Sequence, residues 1–160
     1  GPLCNPASPP FQVVGVPRES HARRMAEVLA RTPSIRRAAV VRGSDGLDEV
    51  TLTGPTEVLL VEDGAISELA WTPADFGLPT THAKGLMVDG PAQSAEFLRR
   101  AFANEPGPVR SYVLANAAAA LWKAEATPLP DAVARAAEAI ETGRAAALLE
   151  RWATLSQARA

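Results

Sequence analysis

Residues 38–49, AAVVRGSDGLDE, decide the fold of this 160-residue chain. The four apolar residues that open the stretch predict a short buried strand. Three acidic residues, Asp45, Asp48 and Glu49, then fall on a glycine-containing segment, the acidic loop (residues 44–49). Open α/β sheets bind their ligands at loops that follow the carboxyl ends of strands, so this loop is the candidate functional site.

The adjacent carboxylates of Asp48 and Glu49 carry the clearest chemical signal. Adjacent carboxylates repel each other unless a proton or a cation neutralises them. Hard oxygen ligands without a nearby histidine or cysteine favour Mg²⁺ over Zn²⁺, and Mg²⁺ is commonly bound by one or two carboxylates plus substrate phosphates. Asp48 and Glu49 are therefore a candidate magnesium half-site, although the residues alone favour a solvated acidic turn, because carboxylates are common on surface loops. Asp45 is expected to shape the loop by accepting hydrogen bonds from backbone N–H groups.

The segment before the acidic loop predicts a βαβ unit. Residues 12–16, QVVGV, form an apolar, β-branched run that we interpret as a buried strand. Residues 20–31 place apolar side chains at helical spacing, and Ser20 can cap this helix. With the strand at 38–41, these elements predict two parallel strands joined by a right-handed crossover. The acidic loop would then lie at the carboxyl edge of the sheet.

The chain after the loop predicts a hairpin and then four helices. The Asp63-Gly64 pair between the apolar runs 58–61 and 65–71 is a strong hairpin signal, so the sheet should be mixed. The predicted helices span 92–103, 108–123, 130–142 and 144–157. Asn116 lies on the apolar face of the second of these and needs hydrogen-bonding partners if it is buried, so we interpret it as a structural residue. We expect an α/β fold with a mixed, mostly parallel sheet flanked by helices.

Length and composition fit a single domain or a large domain piece. Apolar residues make up 47% and aromatic residues 5%, which predicts an aliphatic, alanine-rich core. The net charge of −2 gives no overall attraction to nucleic acid or to an anionic membrane. The single cysteine, Cys4, fits a reducing compartment and favours a cytoplasmic location. We expect Cys4 to be a small packing residue.

A cluster of arginines precedes the acidic loop, because seven of the 16 basic residues lie between Arg18 and Arg42. One interpretation is a face that binds phosphate or nucleic acid, and the other is a solvated surface. No aromatic residue interleaves with these arginines, so bases would have no platform for stacking. We favour the solvated surface and predict no nucleic-acid binding.

Several motifs, in order along the chain, resemble those of anthranilate phosphoribosyltransferases. DGLDE at residues 45–49 resembles the Asp-Gly-Leu-Asp-Glu signature of that family, and GPLCNPA at 1–7 resembles its Gly-Pro-Leu-Thr-Asn-Pro-Ala segment. QVVGV at 12–16, DFGL at 75–78 and ANAA at 115–118 also match. The order and spacing of these motifs extend the resemblance over nearly the whole chain.

The resemblance implies the C-terminal part of a phosphoribosyltransferase/nucleoside-phosphorylase-like catalytic domain, formed by residues 1–160. It implies an enzyme of tryptophan biosynthesis that joins the amine of anthranilate to C1 of phosphoribosyl pyrophosphate (PRPP) and releases pyrophosphate. Asp48 and Glu49 would hold Mg²⁺, and Gly1 and Pro2 match the segment that lines the anthranilate tunnel. Cys4 replaces the threonine that is usual in the family, so a thiol stands where the family has a hydroxyl.

The family pattern also contains segments that this sequence lacks. A Gly-Thr-Gly-Gly-Asp loop and a Lys-His-Gly-Asn segment bind PRPP in the family, and a small helical domain precedes both. We therefore expect this chain to be the C-terminal half of the enzyme, with a missing N-terminal half as its partner. The resemblance also implies that the half is inactive alone and that the complete enzyme is a homodimer.

Two other interpretations stay open. One is a non-catalytic homologue of the same fold that binds nucleic acid, although the net charge of −2 and the intact acidic pair argue against it. The other is a pyrimidine-nucleoside phosphorylase-like enzyme, which would share the sheet but not the motifs at residues 1–7 and 45–49. Upstream residues with the Gly-Thr-Gly-Gly-Asp loop would distinguish the three.

Overall fold

The computed structural model describes residues 2–158, without the side chains of Pro2, Ala83 and Lys84. The strands of this part of the chain are β1 (Phe11–Gly15), β2 (Arg37–Gly43), β3 (Thr56–Glu62) and β4 (Ala65–Trp71). Its α-helices are α1 (Glu19–Ala30), α2 (Pro91–Phe102), α3 (Pro108–Glu125), α4 (Leu129–Glu141) and α5 (Arg144–Gln157). Short 3-10 helices span Pro2–Cys4, Pro73–Phe76 and Ala83–Leu86.

The first three elements, β1, α1 and β2, form the predicted βαβ unit. β1 pairs in parallel with β2, with Val14 opposite Val40 and Gly15 opposite Val41. Valines suit these positions because β-branched side chains pack well on a pleated, buried surface. Since parallel strands end at the same edge of a sheet, β2 delivers the acidic loop to the edge where β1 also ends.

The rest of the sheet is antiparallel. β3 pairs with both β2 and β4, and the strand order is β1-β2-β3-β4. The turn between β3 and β4 has φ of 49° at Asp63 and 78° at Gly64, as the two-residue hairpin turn requires. The predicted mixed α/β sheet flanked by helices is confirmed. The prediction that the sheet is mostly parallel does not hold among the described strands. Only β1 and β2 run parallel, because β3 runs antiparallel to β2 and the tight turn after β3 makes β4 antiparallel to β3.

One face of the sheet is covered by α1. Ala22, Ala26 and Leu29 of this helix are buried in a cluster with Ala38 and Val40 of β2 and Val61 of β3. The two alanines keep the helix close to the sheet because they carry no bulk beyond Cβ. α1 begins at Glu19, and no side chain caps its first turn. The predicted capping role of Ser20 is therefore wrong, because Ser20 already lies inside the helix.

The opposite face is covered by α3. Its buried side chains are Tyr112, Leu114, Ala115, Ala118, Ala119 and Lys123. Trp71 and Phe76 are buried in the same cluster, with ring centroids 5.7 Å apart in an edge-to-face arrangement. α4 packs on the outer side of α3 through Ala136 and Ile140. The aliphatic, alanine-rich core that composition predicts is therefore present on both faces.

The segment before β1 lies on the outside of the domain. Cys4 is exposed, so its predicted role as a packing residue is wrong. Cys4 ends the short 3-10 helix Pro2–Cys4, which precedes the first strand and does not bring the thiol into the core. None of the helices between residues 2 and 158 combines the length and hydropathy needed to cross a bilayer.

Candidate functional site

The acidic loop turns tightly where β2 ends. The Gly43 N–H donates a hydrogen bond to the carbonyl oxygen of Leu47 at 2.9 Å. This bond closes the turn and leaves Asp48 and Glu49 exposed to solvent. Val50, which follows directly, is completely buried. The acidic pair therefore lies at the surface immediately before a residue anchored in the core.

Gly15, at the end of β1, allows the acidic loop to come close to the sheet. A Cβ atom added to Gly15 would lie 1.5 Å from the carbonyl oxygen of Asp48 and 2.4 Å from its carbonyl carbon. No side chain fits there, because the atoms it would meet belong to the backbone and cannot rotate away. The Asp48 backbone thus lies against the end of β1, at the sheet edge where α/β folds bind ligands. The sequence identifies Gly15 only as a residue near the end of a predicted strand and of the QVVGV motif, and does not indicate this contact.

The Asp45 carboxylate holds the acidic loop in shape through hydrogen bonds to neighbouring residues. One carboxylate oxygen accepts a hydrogen bond from the Leu47 N–H at 3.2 Å, and the other accepts from the hydroxyls of Thr51 and Thr53, both at 2.6 Å. Burial acts to raise the pKa of Asp45, but these hydrogen bonds favour the charged form and lower the pKa overall. The predicted role of Asp45 in shaping the loop is confirmed.

A chain of polar contacts continues from Asp45 into the core. The Thr51 hydroxyl, which donates to Asp45, lies 3.0 Å from the hydroxyl of Tyr112 on α3. The Thr51 N–H donates to the hydroxyl oxygen of Thr56 at 3.0 Å. Among the described residues, every buried side-chain nitrogen or oxygen has a hydrogen-bond partner. A fully satisfied buried network of this kind favours one conformation of the loop.

Asn116 of α3 contacts the chain directly after the acidic pair. Its side-chain oxygen accepts from the Val50 N–H at 2.9 Å, and its side-chain nitrogen donates to the Val50 carbonyl oxygen at 3.1 Å. The prediction that Asn116 would need polar partners on its apolar helix face is confirmed. Sequence reasoning did not identify Val50 as that partner, because the two residues are 66 positions apart.

The electrostatics of the acidic pair suit a bound cation. Protein atoms crowd the Glu49 carboxylate although the residue is exposed, and this partial desolvation is the largest cause of its raised pKa. The negative charges of Asp48 and Asp45 raise the pKa of Glu49 further. A cation beside the pair would relieve both effects, because it stabilises the charged carboxylates.

The acidic pair can supply only part of a coordination sphere. Within residues 2–158, no group of three or more histidine, cysteine, aspartate or glutamate side chains could hold a metal ion. Mg²⁺ suits an incomplete protein site, because it keeps several waters and takes further oxygens from substrate phosphates. The donor type of Asp48 and Glu49 therefore fits Mg²⁺, and their assignment as metal ligands stays a prediction.

The other residues considered for the site give different outcomes. Gly1, predicted to bind substrate, lies outside the described residues, and Pro2 is described only by its backbone in a 3-10 helix. Their substrate-binding role stays a prediction. Arg42, the last residue of the arginine cluster, donates hydrogen bonds from Nη2 and Nε to the Glu57 carboxylate, at 2.7 and 3.1 Å. Arg42 is therefore engaged away from the acidic pair.

Comparison with known proteins identifies the class to which this fold and site belong. Residues 1–146 match the family model described as "Glycosyl transferase family, a/b domain". The chain belongs to this family.

The curated relatives of the chain point to one enzyme within the family. Anthranilate phosphoribosyltransferase from Methylobacterium sp. (strain 4-46) is 45% identical over 159 residues, which cover 99% of this chain and 47% of the relative. The enzyme of the same name from Methylibium petroleiphilum is 42% identical over 153 residues, which cover 95% of this chain and 44% of the relative. The resemblance predicted from the motifs is confirmed. The chain spans about half the length of the curated relatives it matches.

Solved structures confirm the phosphoribosyltransferase/nucleoside-phosphorylase-like fold. Anthranilate phosphoribosyltransferase from Saccharomyces cerevisiae in complex with PRPP and Mg has a TM-score of 0.84 at 25% identity, over 94% of this chain and 44% of that one. The same yeast enzyme in complex with 4-fluoroanthranilate has the same TM-score, sequence identity and coverage of the two chains. The enzyme of the same name from Thermus thermophilus has a TM-score of 0.81 at 34% identity, over 95% of this chain and 45% of that one.

Proposed function

We propose that this chain supplies the magnesium-binding arm of an anthranilate phosphoribosyltransferase. The proposed reaction transfers phosphoribosyl from PRPP to the amine of anthranilate and releases pyrophosphate, as a step of tryptophan biosynthesis. The observation that carries the proposal is the exposed Asp48-Glu49 pair at the carboxyl edge of the sheet, with the Asp48 backbone against Gly15. The names of the relatives and the PRPP and Mg complex of the yeast enzyme support it.

The proposed mechanism assigns distinct tasks to the residues of the loop. A bound Mg²⁺ supplies neutralisation of the negative charge that develops on the pyrophosphate leaving group. Asp48 and Glu49 would hold this ion, directly or through water. Asp45 stays charged and hydrogen-bonded to Thr51, so it keeps the loop in shape without competing for the ion. Positioning and electrostatics then carry the step without a covalent enzyme intermediate.

We propose a division of the enzyme between two parts. Residues 1–160 form the C-terminal portion of the α/β catalytic domain, and an N-terminal half supplies the loops that clamp PRPP. Gly1 and Pro2 contribute to the anthranilate side. The coverage of less than half of each relative supports this division. A homodimer of the complete enzyme and a cytoplasmic location are parts of the same proposal.

The acidic pair can be tested in the complete enzyme. We expect Asp48→Asn combined with Glu49→Gln to lower turnover at least about a hundredfold, the effect of losing a strong electrostatic stabiliser. Turnover is measured by the loss of anthranilate fluorescence across a Mg²⁺ titration, because the variant should also change the magnesium requirement. Asp89→Asn with Glu96→Gln removes the same charge at exposed positions and should have no effect. Unchanged turnover and magnesium dependence in the first variant would refute the metal assignment.

A further inference from the structure

Asn116 pairs with Val50 in the way that one strand pairs with the next. Its amide oxygen accepts the Val50 N–H and its amide nitrogen donates to the Val50 carbonyl, at 2.9 and 3.1 Å. A side-chain amide can do this because it carries both a donor and an acceptor, as a peptide group does. Val50 directly follows Glu49, so these hydrogen bonds lie at the end of the acidic loop that enters the core.

Further hydrogen bonds hold the Asn116 amide in place. Its nitrogen also donates to the carbonyl oxygen of Tyr112, one turn earlier on α3, at 3.1 Å. Both amide hydrogens and the amide oxygen are therefore engaged, and rotation of the amide would break these bonds. The Tyr112 hydroxyl contacts Thr51 at 3.0 Å. Helix α3 thus holds Val50 and Thr51, the two residues that follow the acidic pair.

We propose that Asn116 is a positioning residue for the Asp48-Glu49 pair. This inference rests on the proposed metal-binding function of the pair. By holding both backbone groups of Val50, Asn116 fixes the peptide plane that follows Glu49 and with it the direction of the acidic side chains. Gly15 fixes the other side, because the Asp48 backbone lies against it. The pair is therefore set by contacts from β1 and α3, which come from distant parts of the chain.

A merely structural role of Asn116 would give a different result from a positioning role. If Asn116 only satisfied buried backbone groups, its loss would destabilise the whole domain, and amides of β2 would exchange faster together with that of Val50. If Asn116 positions the loop, its loss opens the loop locally. Exchange at Val50 and cation binding then change while β2 keeps its protection.

The experiment compares Asn116→Ala with Ser111→Ala, a control on the same helix, in the 160-residue chain. It records amide hydrogen exchange and the broadening of amide NMR signals by Mn²⁺, a paramagnetic substitute for Mg²⁺. In Asn116→Ala we expect the Val50 amide to exchange about tenfold faster, the effect of one lost hydrogen bond, with β2 unchanged. Broadening centred on residues 48–49 should weaken. Ser111→Ala should change neither measurement.

Each outcome decides the proposal. Equal loss of protection at β2 and Val50, or unchanged Mn²⁺ broadening, overturns it. If Asn116→Ala does not fold, Asn116→Ser replaces it, because that hydroxyl is too short to reach both groups of Val50. If Mn²⁺ broadens no signal near Asp48 and Glu49 in the wild-type chain even when pyrophosphate is added to supply the missing oxygens, the metal function itself is contradicted. Selective exchange at Val50 would then still support the role of Asn116 in holding the loop, and uniform exchange would overturn it.

Discussion

At the scale of single residues, Asp45 and Glu49 show how one loop moves two carboxyl pKa values in opposite directions. Asp45 is surrounded by hydrogen-bond donors, which overcome the effect of burial and lower its pKa. Glu49 is partly desolvated and faces two further negative charges, so its pKa is raised. The difference separates a structural carboxylate from one whose charge a cation would stabilise.

We expect Glu49→Gln to raise the free energy of unfolding of the metal-free chain at neutral pH. Because the pKa of Glu49 is raised on folding, the folded chain binds its proton more tightly than the unfolded chain does. That stabilisation is complete below the ordinary glutamate pKa of about 4.3 and is lost as the pH rises through the raised value. The advantage of the variant should therefore disappear in acid. Urea unfolding of both chains at neutral pH and near pH 4 measures this difference in the free energy of unfolding.

Asp45→Asn provides the control of opposite sign. The pKa of Asp45 is lowered, so its charged form stabilises the fold above the ordinary pKa, and this contribution is lost as the pH falls through the lowered value. The variant should lower stability at neutral pH, with a smaller difference in acid. A Glu49→Gln variant that is less stable than the wild-type chain at neutral pH would contradict the electrostatic account.

Gly15 provides a steric test at the same scale. Gly15→Ala would place Cβ 1.5 Å from a backbone oxygen, so the acidic loop must move away from β1. We expect a loss of about 1–3 kcal/mol in stability, typical of overpacking, and weaker Mn²⁺ broadening at Asp48 and Glu49. In the control Gly54→Ala, the new Cβ meets only the Ser44 side chain, whose hydroxyl lies at 2.7 Å and can rotate away. Equal effects of the two variants in urea unfolding would argue against the close contact.

At the scale of elements, α1 and β2 carry arginines whose charges are partly neutralised within the fold. Arg37 pairs with Glu62 at 2.6 Å, and Arg42 pairs with Glu57 at 2.7 Å. Both acidic partners lie on β3, opposite the arginines in the antiparallel register. Cross-strand pairs of opposite charge stabilise a sheet modestly. Their larger consequence is a weaker positive potential for any anionic partner.

We therefore expect no binding of single-stranded or duplex oligonucleotides at micromolar protein and near-physiological salt. Fluorescence anisotropy measures this directly. Glu57→Gln with Glu62→Gln is the informative comparison, because it releases Arg37 and Arg42 and should increase salt-sensitive binding at low ionic strength. Tight binding by the wild-type chain with a steep salt dependence would favour the non-catalytic, nucleic-acid-binding interpretation.

At the scale of the whole molecule, the described part of the chain presents surfaces suited to contact with another polypeptide. β1 is an edge strand of the described sheet, and edge strands readily pair with further strands. Helix α5 exposes Leu148, Trp152 and Leu155 at helical spacing, each by more than half, with 64%, 69% and 59% of the residue surface accessible. Apolar groups exposed together favour association.

We expect the chain alone to leave anthranilate unreacted and the addition of the N-terminal half to restore activity. The physical reason is that a cation at Asp48 and Glu49 needs pyrophosphate clamped opposite it. Anthranilate fluorescence is followed with PRPP and Mg²⁺, with and without the added half. The chain with Asp48→Asn and Glu49→Gln should bind the half without restoring activity. Consumption of anthranilate by the chain alone would show that the division between the halves is wrong.

The sequence by itself determined the elements and the chemical character of the loop. Apolar β-branched runs, helical spacing and the Asp63-Gly64 turn identified the strands, the helices and the hairpin, because each depends on preferences of neighbouring residues. The DGLDE pattern at 45–49 singled out the acidic pair and the separate role of Asp45. These features are local, so they can be predicted without knowing which parts of the chain meet.

Only the tertiary structure decided which distant groups surround the acidic pair. The contact of Gly15 with Asp48 and the hydrogen bonds between Asn116 and Val50 depend on how β1 and α3 pack. The exposure of Cys4 and the mainly antiparallel pairing within the described sheet escaped prediction for the same reason. A residue type states what a side chain can bind, whereas long-range packing decides which backbone or charge it meets.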